Sequence, residues 1–435
     1  MFKRLLRSLT TKPAARARAS ASAQADSSAA EASTEALMAF AQASYNLETP
    51  AGDADCEQTL LRVLAHEPEN PLAHFALALL VIADGDFGRA EAHLRAAYAR
   101  APGDGYVLYT LAMVLLQRNN FLEGFRLFSI WRNAISHRNP APHIISLPAW
   151  RGESLAGKSL VLWTDWGGFG DDIAYLRYAR WIRENHQPAR LIVAARNPLL
   201  RLLAGQTYID ETVELGVAVK ADLQCAMIEA VHVLGTDFTN LPAWPSYLKP
   251  PAQESTFWEQ RLRAERRLKV GLVWTSTSVR PVEMEQSGRY DKHLPERALA
   301  TFSDLAEVVF VSLQKGAGIA RAADLLPGAA VIDPTDDLRD FADTAALIGQ
   351  LDLVLTIDTS IAHLAGALGV PTLLLLKKSL ACFWPSGRAD TPWYPSVRML
   401  AQQDLRDWTP VLARARAILA RRAAGVPWPQ CCDLG

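Results

Sequence analysis

The spacing of hydrophobic positions changes along the chain. Up to about residue 135, apolar residues recur at intervals of three and four. They run Leu72, Phe75, Ala76, Leu79 and Leu80, then Ala90, Leu94 and Ala97. The pattern continues with Val107, Leu108, Leu111, Ala112 and Leu115, then Phe125 and Phe128. That spacing puts apolar side chains on one face of a helix. Two further helices are predicted upstream, over 35–46 and 56–66. After Pro140 the pattern becomes short, unbroken apolar runs separated by helical stretches. The runs at 159–164, 191–194 and 223–227 predict strands in a first half, with helices over 171–184 and 198–203. A Pro- and Trp-containing stretch, 241–251, leads to a second half. Its strands are predicted at 269–275, 308–312, 330–332, 353–357 and 372–376. Its helices are predicted at 296–302, 319–325, 341–350, 361–368 and 409–422. Apolar strands joined by helical crossovers imply parallel sheets covered on both faces.

The helical part repeats. Pro68 and Pro102, Asp86-Phe87 and Asn120-Phe121, and Ala90 and Gly124 all stand 34 residues apart. Small residues let paired helices approach closely, and Pro stops a helix because it lacks an N–H. A 34-residue period of paired helices over about 35–135 resembles the tetratricopeptide repeat. That resemblance implies a surface for a protein or peptide partner and no chemistry of its own. A plain helical bundle is the competing reading.

Composition narrows the function classes. The chain has 435 residues, with 45 Lys and Arg against 46 Asp and Glu. That balance argues against a dedicated nucleic-acid binder, which needs a basic surplus. No apolar run is long enough to span a bilayer. Five cysteines, with Cys56, Cys225 and Cys382 isolated and Cys431-Cys432 adjacent, make neither a disulfide framework nor a zinc site. A reducing, cytoplasmic setting fits. Residues 1–34 are basic at first and then rich in Ala and Ser, and read as a disordered tail. Peripheral contact with an inner-membrane surface through Phe2, Leu5, Leu6 and Leu9, and an organellar transit peptide, are the alternatives.

Candidate chemistry lies at predicted strand ends. The loop Trp166-Gly167-Gly168-Phe169-Gly170-Asp171-Asp172 follows the first strand and opens a helix. Its glycines permit close approach of a ligand to backbone. One acid suffices for a helix cap, so the second is free to face a cleft. The stretch from Asp358, Thr359 and Ser360 through His363 to Gly369 opens another helix, whose free N–H groups and hydroxyls suit a diphosphate. Here an N-cap role for Asp358 or Ser360 and a buried, satisfied His363 are the structural alternatives. Thr275-Ser276-Thr277, Arg289 to Pro295 and Ser312-Leu313-Gln314-Lys315-Gly316 occupy the remaining strand ends. Lys292 and Lys315 there are either phosphate-neutralising point charges or solvated surface lysines.

These segments, G-F-G-D, V-W-T-S-T, D-K-H-L-P, S-L-Q-K-G and D-T-S-x-A-H-L-A-G-A-L-G-x-P-T, occur in the order found in family 9 glycosyltransferases, the ADP-heptose:lipopolysaccharide heptosyltransferase family. The chain over 150–422 resembles that family, and the whole resembles bacterial proteins that fuse tetratricopeptide repeats to such a domain. The resemblance implies a GT-B fold, with an acceptor domain over 150–250 and a nucleotide-sugar domain over 268–422, followed by a tail, 423–435. It implies transfer of sugar with inversion, usually without a metal and with no cofactor beyond an ADP- or other NDP-sugar as substrate. It places the acidic base on Asp171 in the loop of Gly167, Gly168 and Gly170. It places donor contacts on Thr275, Ser276, Lys292, Asp358, Thr359, Ser360 and His363, with Gln314 and Lys315 near the base or ribose. The implied acceptor is a glycan, a lipopolysaccharide or a protein. The extra Asp172, the bulky Trp166 and the long stretch 278–288 depart from the family pattern. They bear on acceptor specificity, and the unusual glycine loop motivates the alternative of a non-catalytic repeat scaffold with a degenerate nucleotide-binding domain. A third reading is another nucleotide-sugar enzyme of this shape, such as an epimerase.

Overall fold

A computed structural model of the chain describes residues 33–46, 49–134, 141–164, 167–276, 292–316, 319–378, 383–405 and 407–433. The tail expected over 1–34 lies almost wholly outside these residues. So do Asp165, Trp166, Cys382 and the segment 277–291 with Thr277, Arg289, Tyr290 and Asp291. The described chain divides into two compact units, one ending at Val114 and the other beginning at Leu115.

The smaller unit is helical. Helices α1 (Thr34–Tyr45), α2 (Pro50–His66), α3 (Pro71–Ala83) and α4 (Phe87–Arg100) follow in order, and α5 (Gly105–Gln117) runs across the boundary. The 34-residue period reappears in the caps. The Asn70 side chain accepts from the N–H groups of Leu72 and Ala73 at 3.1 and 3.0 Å. Asp104, 34 positions on, accepts from Tyr106 and Val107 at 2.8 and 3.0 Å. Short polar side chains at these positions satisfy the free N–H groups of the first turn.

The larger unit starts with α6 (Phe121–Ala134) and a single turn, α7 (Pro142–Ile145). Its first sheet contains β1 (Ser159–Trp163), β2 (Arg190–Ala195), β3 (Glu211–Glu214) and β4 (Leu223–Ala226), all parallel in the order β3-β2-β1-β4. Its second sheet contains β5 (Leu268–Val273), β6 (Val308–Ser312), β7 (Ala330–Ile332), β8 (Leu353–Ile357), β9 (Thr372–Leu376) and β10 (Val397–Ala401). All six are parallel, in the order β10-β9-β8-β5-β6-β7. Strands β6, β8 and β9 are buried along their whole length, as sheets covered on both faces require. In the first sheet the chain order reverses beside β1, and in the second it reverses between β5 and β8. Loops leaving the carboxyl ends of β1, β5 and β8 therefore stand at switch points, where such sheets bind ligands.

The connecting helices show where the sequence reading departs from the structure. The helix expected over 171–184 is two, α8 (Phe169–Tyr175) and α9 (Arg177–His186). The break at Leu176 turns Arg177 inward. It is fully buried, lies 4.8–5.0 Å from the rings of Tyr247, Trp393 and Tyr394, and donates to the Ala174 carbonyl at 2.9 Å. Over 198–203 a 3-10 turn precedes the short α10 (Leu200–Ala204). The strand expected over 223–227 stops at Ala226, because Met227 begins α11 (Met227–Val233). Besides α11, the strands β3 and β10, both at sheet edges, and α12 (Ala252–Leu262), which buries only Trp258 and Leu262, have no counterpart in the expected set. Edge strands carry polar residues such as Glu211 and Arg398, which blunts the apolar signal. The helix expected over 319–325 is reduced to α13 (Ala322–Leu325). The other connections are a 3-10 turn over Glu296–Phe302, α14 (Phe341–Ile348), α15 (Ser360–Leu368) and α16 (Thr409–Ala423). The last stretch is packed rather than free: Cys431 is buried in the core of the second sheet, with Val426, Trp428 and Cys432 against it. Helix α6 packs on the first half, where Arg132 pairs with Glu229 at 2.5 Å and lies over the Trp163 ring. Among the described residues no helix is long and apolar enough to cross a membrane.

Candidate functional site

The glycine loop and the start of α15 meet. Gly170, on the first turn of α8, lies so close to α15 that a Cβ there would fall 2.7 Å from His363 Cδ2 and 3.5 Å from Ser360 Cα. Only glycine fits that approach. A Cβ on Gly167 would fall 2.5 Å from the Cβ of Asp171, so this glycine lets Asp171 fold back over the loop. The Asp171 carboxylate accepts from the Gly168 N–H at 2.6 Å. Burial pushes the Asp171 carboxyl up to about 6; the Gly168 N–H opposes that rise, and the nearby Asp358 carboxylate adds to it.

The second acid does something else. Asp172 is buried and accepts from Arg196 Nε at 2.9 Å. The expectation that one acid caps the helix and the other faces a cleft is therefore replaced: Asp171 does the capping and is also the acid of raised proton affinity, while Asp172 is committed to Arg196.

The α15 side is held by aromatic packing. Thr359 is the N-cap of α15 and accepts from the Ile361 N–H at 3.3 Å, so the cap falls to neither Asp358 nor Ser360. Ser360 begins the helix. Asp358 accepts from the Trp384 indole N–H at 2.8 Å, and Lys292 Nζ donates to the Asp358 carbonyl at 2.6 Å. Burial works to raise the Asp358 carboxyl, but the charge of Lys292 and the Trp384 N–H work against it, and the carboxyl lies below its ordinary value. His363 is buried. Its Nδ1 lies 2.9 Å from the Tyr394 hydroxyl, and its ring stacks on Trp384 with centroids 4.9 Å apart. Burial pushes its imidazole down to about 4, against the pull of Asp358, so the ring is neutral at neutral pH.

Beside this pair lies the end of β5. The strand expected to reach residue 275 ends at Val273 because the next two N–H groups, of Trp274 and Thr275, donate to Gln314 Oε1 at 3.2 and 3.0 Å. Gln314 thus shapes the loop on which Thr275 and Ser276 sit, and Thr275 Oγ1 bonds to His293. Lys315 Nζ donates to the Leu338 carbonyl. Trp274, Gln314, Lys315, Arg321, Asp333 and Asp336 help line a cleft of about 200 Å³.

The structure therefore gathers Gly167, Gly168, Gly170, Asp171, Lys292, Asp358, Thr359, Ser360 and His363 in one place. Thr275, Ser276, Gln314 and Lys315 stand at the neighbouring strand ends. Sequence reasoning passed over Arg196 and Trp384. Arg196 follows the last residue of β2 at the carboxyl end, the same rule that selected the other loops, so a signal for it was present. Trp384 sits in an irregular loop that no periodicity marks. Among the described residues no group of three or more His, Cys, Asp or Glu is placed to hold a metal ion.

Comparison with known proteins gives these likenesses. No family model matches the chain. Protein FlbA of Caulobacter vibrioides is 28% identical over 372 residues, 78% of this chain and 60% of that protein, so the chain spans about three-fifths of the length of this curated relative. A glycosyl transferase family 9 structure from Veillonella parvula is 11% identical with a TM-score of 0.46, covering 59% of this chain and 89% of that one. The E. coli ADP-heptose lps heptosyltransferase II is 15% identical with a TM-score of 0.44, covering 61% of this chain and 99% of that one. A Thermobaculum terrenum O-GlcNAc transferase mutant is 14% identical over 91% of this chain and 94% of that one, with a TM-score of 0.26.

Proposed function

We propose that the chain is a glycosyltransferase of GT-B architecture that moves a sugar from a nucleotide-sugar to an acceptor hydroxyl with inversion. One observation carries this reading. The close approach at Gly170 brings an acid of raised proton affinity, Asp171, to the start of a helix that carries the Thr359 and Ser360 hydroxyls. The ordered motifs of the sequence add to it.

In this reading Asp171 removes the proton from the acceptor hydroxyl as it attacks the anomeric carbon. A base near 6 is ionised at neutral pH yet basic enough to accept that proton. The departing diphosphate is met by the Ser360 N–H at the positive end of α15, by the Thr359 and Ser360 hydroxyls and by Lys292. The base and ribose lie in the cleft of Trp274, Gln314 and Lys315. His363 is neutral and packed, and acts as a wall or neutral hydrogen-bonding group rather than a cation. Residues 150–250 form the acceptor domain and 268–422 the nucleotide-sugar domain. The helices before them are tetratricopeptide repeats that present a surface to a protein partner, in a cytoplasmic setting.

Calorimetric titration with ADP, UDP and GDP tests the donor side. One of them should bind with one-to-one stoichiometry, and Lys292→Ala should weaken it. No heat at millimolar nucleotide would contradict the reading and favour a scaffold.

A further inference from the structure

The ion pair beside the glycine loop has no part in the mechanism above. Arg196 stands at the carboxyl end of β2, next to β1 in the sheet. Two of its N–H groups, one of them Nε at 2.9 Å, converge on a single oxygen of Asp172. The Asp172 side chain is 4% exposed and that of Arg196 30% exposed. The guanidinium also lies 4.3 Å from the centre of the Phe169 ring, on the first turn of α8. Phe169 in turn packs against Phe341, with centroids 4.9 Å apart. Arg196 is thus fixed from two sides by residues flanking Gly170 and Asp171.

We propose that Arg196 is a positioning residue for Asp171: clamped by Asp172 and laid on Phe169, it locks the first turn of α8 and holds a fixed positive charge beside the Asp171 carboxylate. This rests on the reading of Asp171 as the base. It also gives the extra acid of the loop a purpose. A guanidinium offers a rigid fork that a lysine cannot reproduce, and its ring stacking needs a planar cation.

The surroundings of Asp171 support the assignment. Asp358 at the end of β8 raises its proton affinity, and Arg196 lowers it. From α15 comes His363, neutral at neutral pH, and Lys292 is bonded to the Asp358 carbonyl. From α9 comes Arg177, held among three aromatic rings, and from α11 comes Glu229, paired with Arg132. Arg196 is the cation attached to the turn that carries Asp171. Without it, desolvation and Asp358 would act on Asp171 with less to oppose them.

The test is a carboxyl titration of the full chain carrying 13Cγ-labelled aspartate, with the Asp171 resonance assigned by its loss in Asp171→Asn. The wild-type midpoint should lie near 6. In Arg196→Gln and Arg196→Met it should move up by about half a pH unit, less than for a bare ion pair because Asp172 partly neutralises the arginine. Met keeps the packing on Phe169, so it serves if Gln disturbs the fold. Arg196→Lys should move the midpoint less than either. A midpoint in folded Arg196→Gln or Arg196→Met equal to or below that of the wild type overturns the proposal. The readout needs no substrate. If Asp171→Asn keeps full transfer activity, the base assignment fails while the titration still reports whether Arg196 tunes the carboxyl.

Discussion

Replacing Gly170 by alanine adds one methyl group at the tightest point of the site. The new carbon would stand 2.7 Å from His363 Cδ2, 3.3 Å from Nε2 and 3.5 Å from Ser360 Cα. Carbon atoms prefer about 3.5–4.0 Å, so roughly 1 Å must be recovered. His363 cannot give that much. Its ring is stacked on Trp384, set edge-on to Phe383 with centroids 4.8 Å apart, and bonded to the Tyr394 hydroxyl. The loop itself has to withdraw from α15. Overpacking of this kind costs about 1–3 kcal/mol, and the better helix propensity of alanine returns at most about 1 kcal/mol. The net loss of about 1–2 kcal/mol falls on the docking of loop and helix. A nucleoside diphosphate bound at α15 should therefore bind roughly tenfold more weakly, and the melting temperature should drop. Calorimetry and thermal denaturation read both. An alanine variant with unchanged affinity and an unchanged or higher melting temperature would refute the close packing of the two elements.

Three further outcomes follow from the same geometry. The Asp171 carboxyl is raised in the folded state, so its ionisation opposes folding: its stabilising contribution is full below about pH 4 and lost as pH rises through about 6. Asp171→Asn should therefore raise the melting temperature at pH 8 and leave it little changed at pH 4. In the smaller unit, His74 Nδ1 and His93 Nδ1 lie 3.0 Å apart while His74 Nε2 faces the Pro68 carbonyl at 2.9 Å, an arrangement that holds a single proton between the two rings. Burial, then the neighbouring His74, pushes His93 below its ordinary value, so its contribution is present above about pH 6.5 and lost as pH falls through the lowered folded value. Helicity followed by circular dichroism from pH 7.5 to 5 should fall in the wild type and fall less in His93→Gln. Arg201 pairs with Glu254, Asp340 and Asp343, and Asp343 keeps Arg339 at 2.8 Å when Arg201 is removed. Urea denaturation of Arg201→Ala should show a loss of about 1 kcal/mol that shrinks in high salt.

The buried strands Val308–Ser312, Leu353–Ile357 and Thr372–Leu376 were legible because their apolar runs are unbroken, and the half-buried edge strand Ala330–Ile332 also stands where its apolar run predicts it. The 34-residue offset reads equally well, since it sets the cap positions Asn70 and Asp104 as well as the apolar faces. Edge strands β3 and β10 escaped because charged residues, Glu211 and Glu214 in β3 and Arg398 in β10, interrupt their apolar runs. The break before Arg177 escaped because a buried arginine among aromatic rings looks, in sequence, like an outward-facing residue. At the site, the rule that loops follow carboxyl strand ends found Asp171 and Asp358. It could not tell which of two adjacent acids would be held by a distant arginine. That depends on β2 lying beside β1, a tertiary fact.

The most direct measurement of the central claim is sugar transfer by Asp171→Asn, with the wild type first screened against nucleotide-sugars by nucleotide release. The wild type should turn over one donor, with a rate that rises with pH through about 6. The variant should bind the same nucleotide with undiminished affinity and lose about 10²–10⁴ in rate. Transfer by the variant at the wild-type rate, or a wild-type rate that falls as pH rises through this range, would contradict the account.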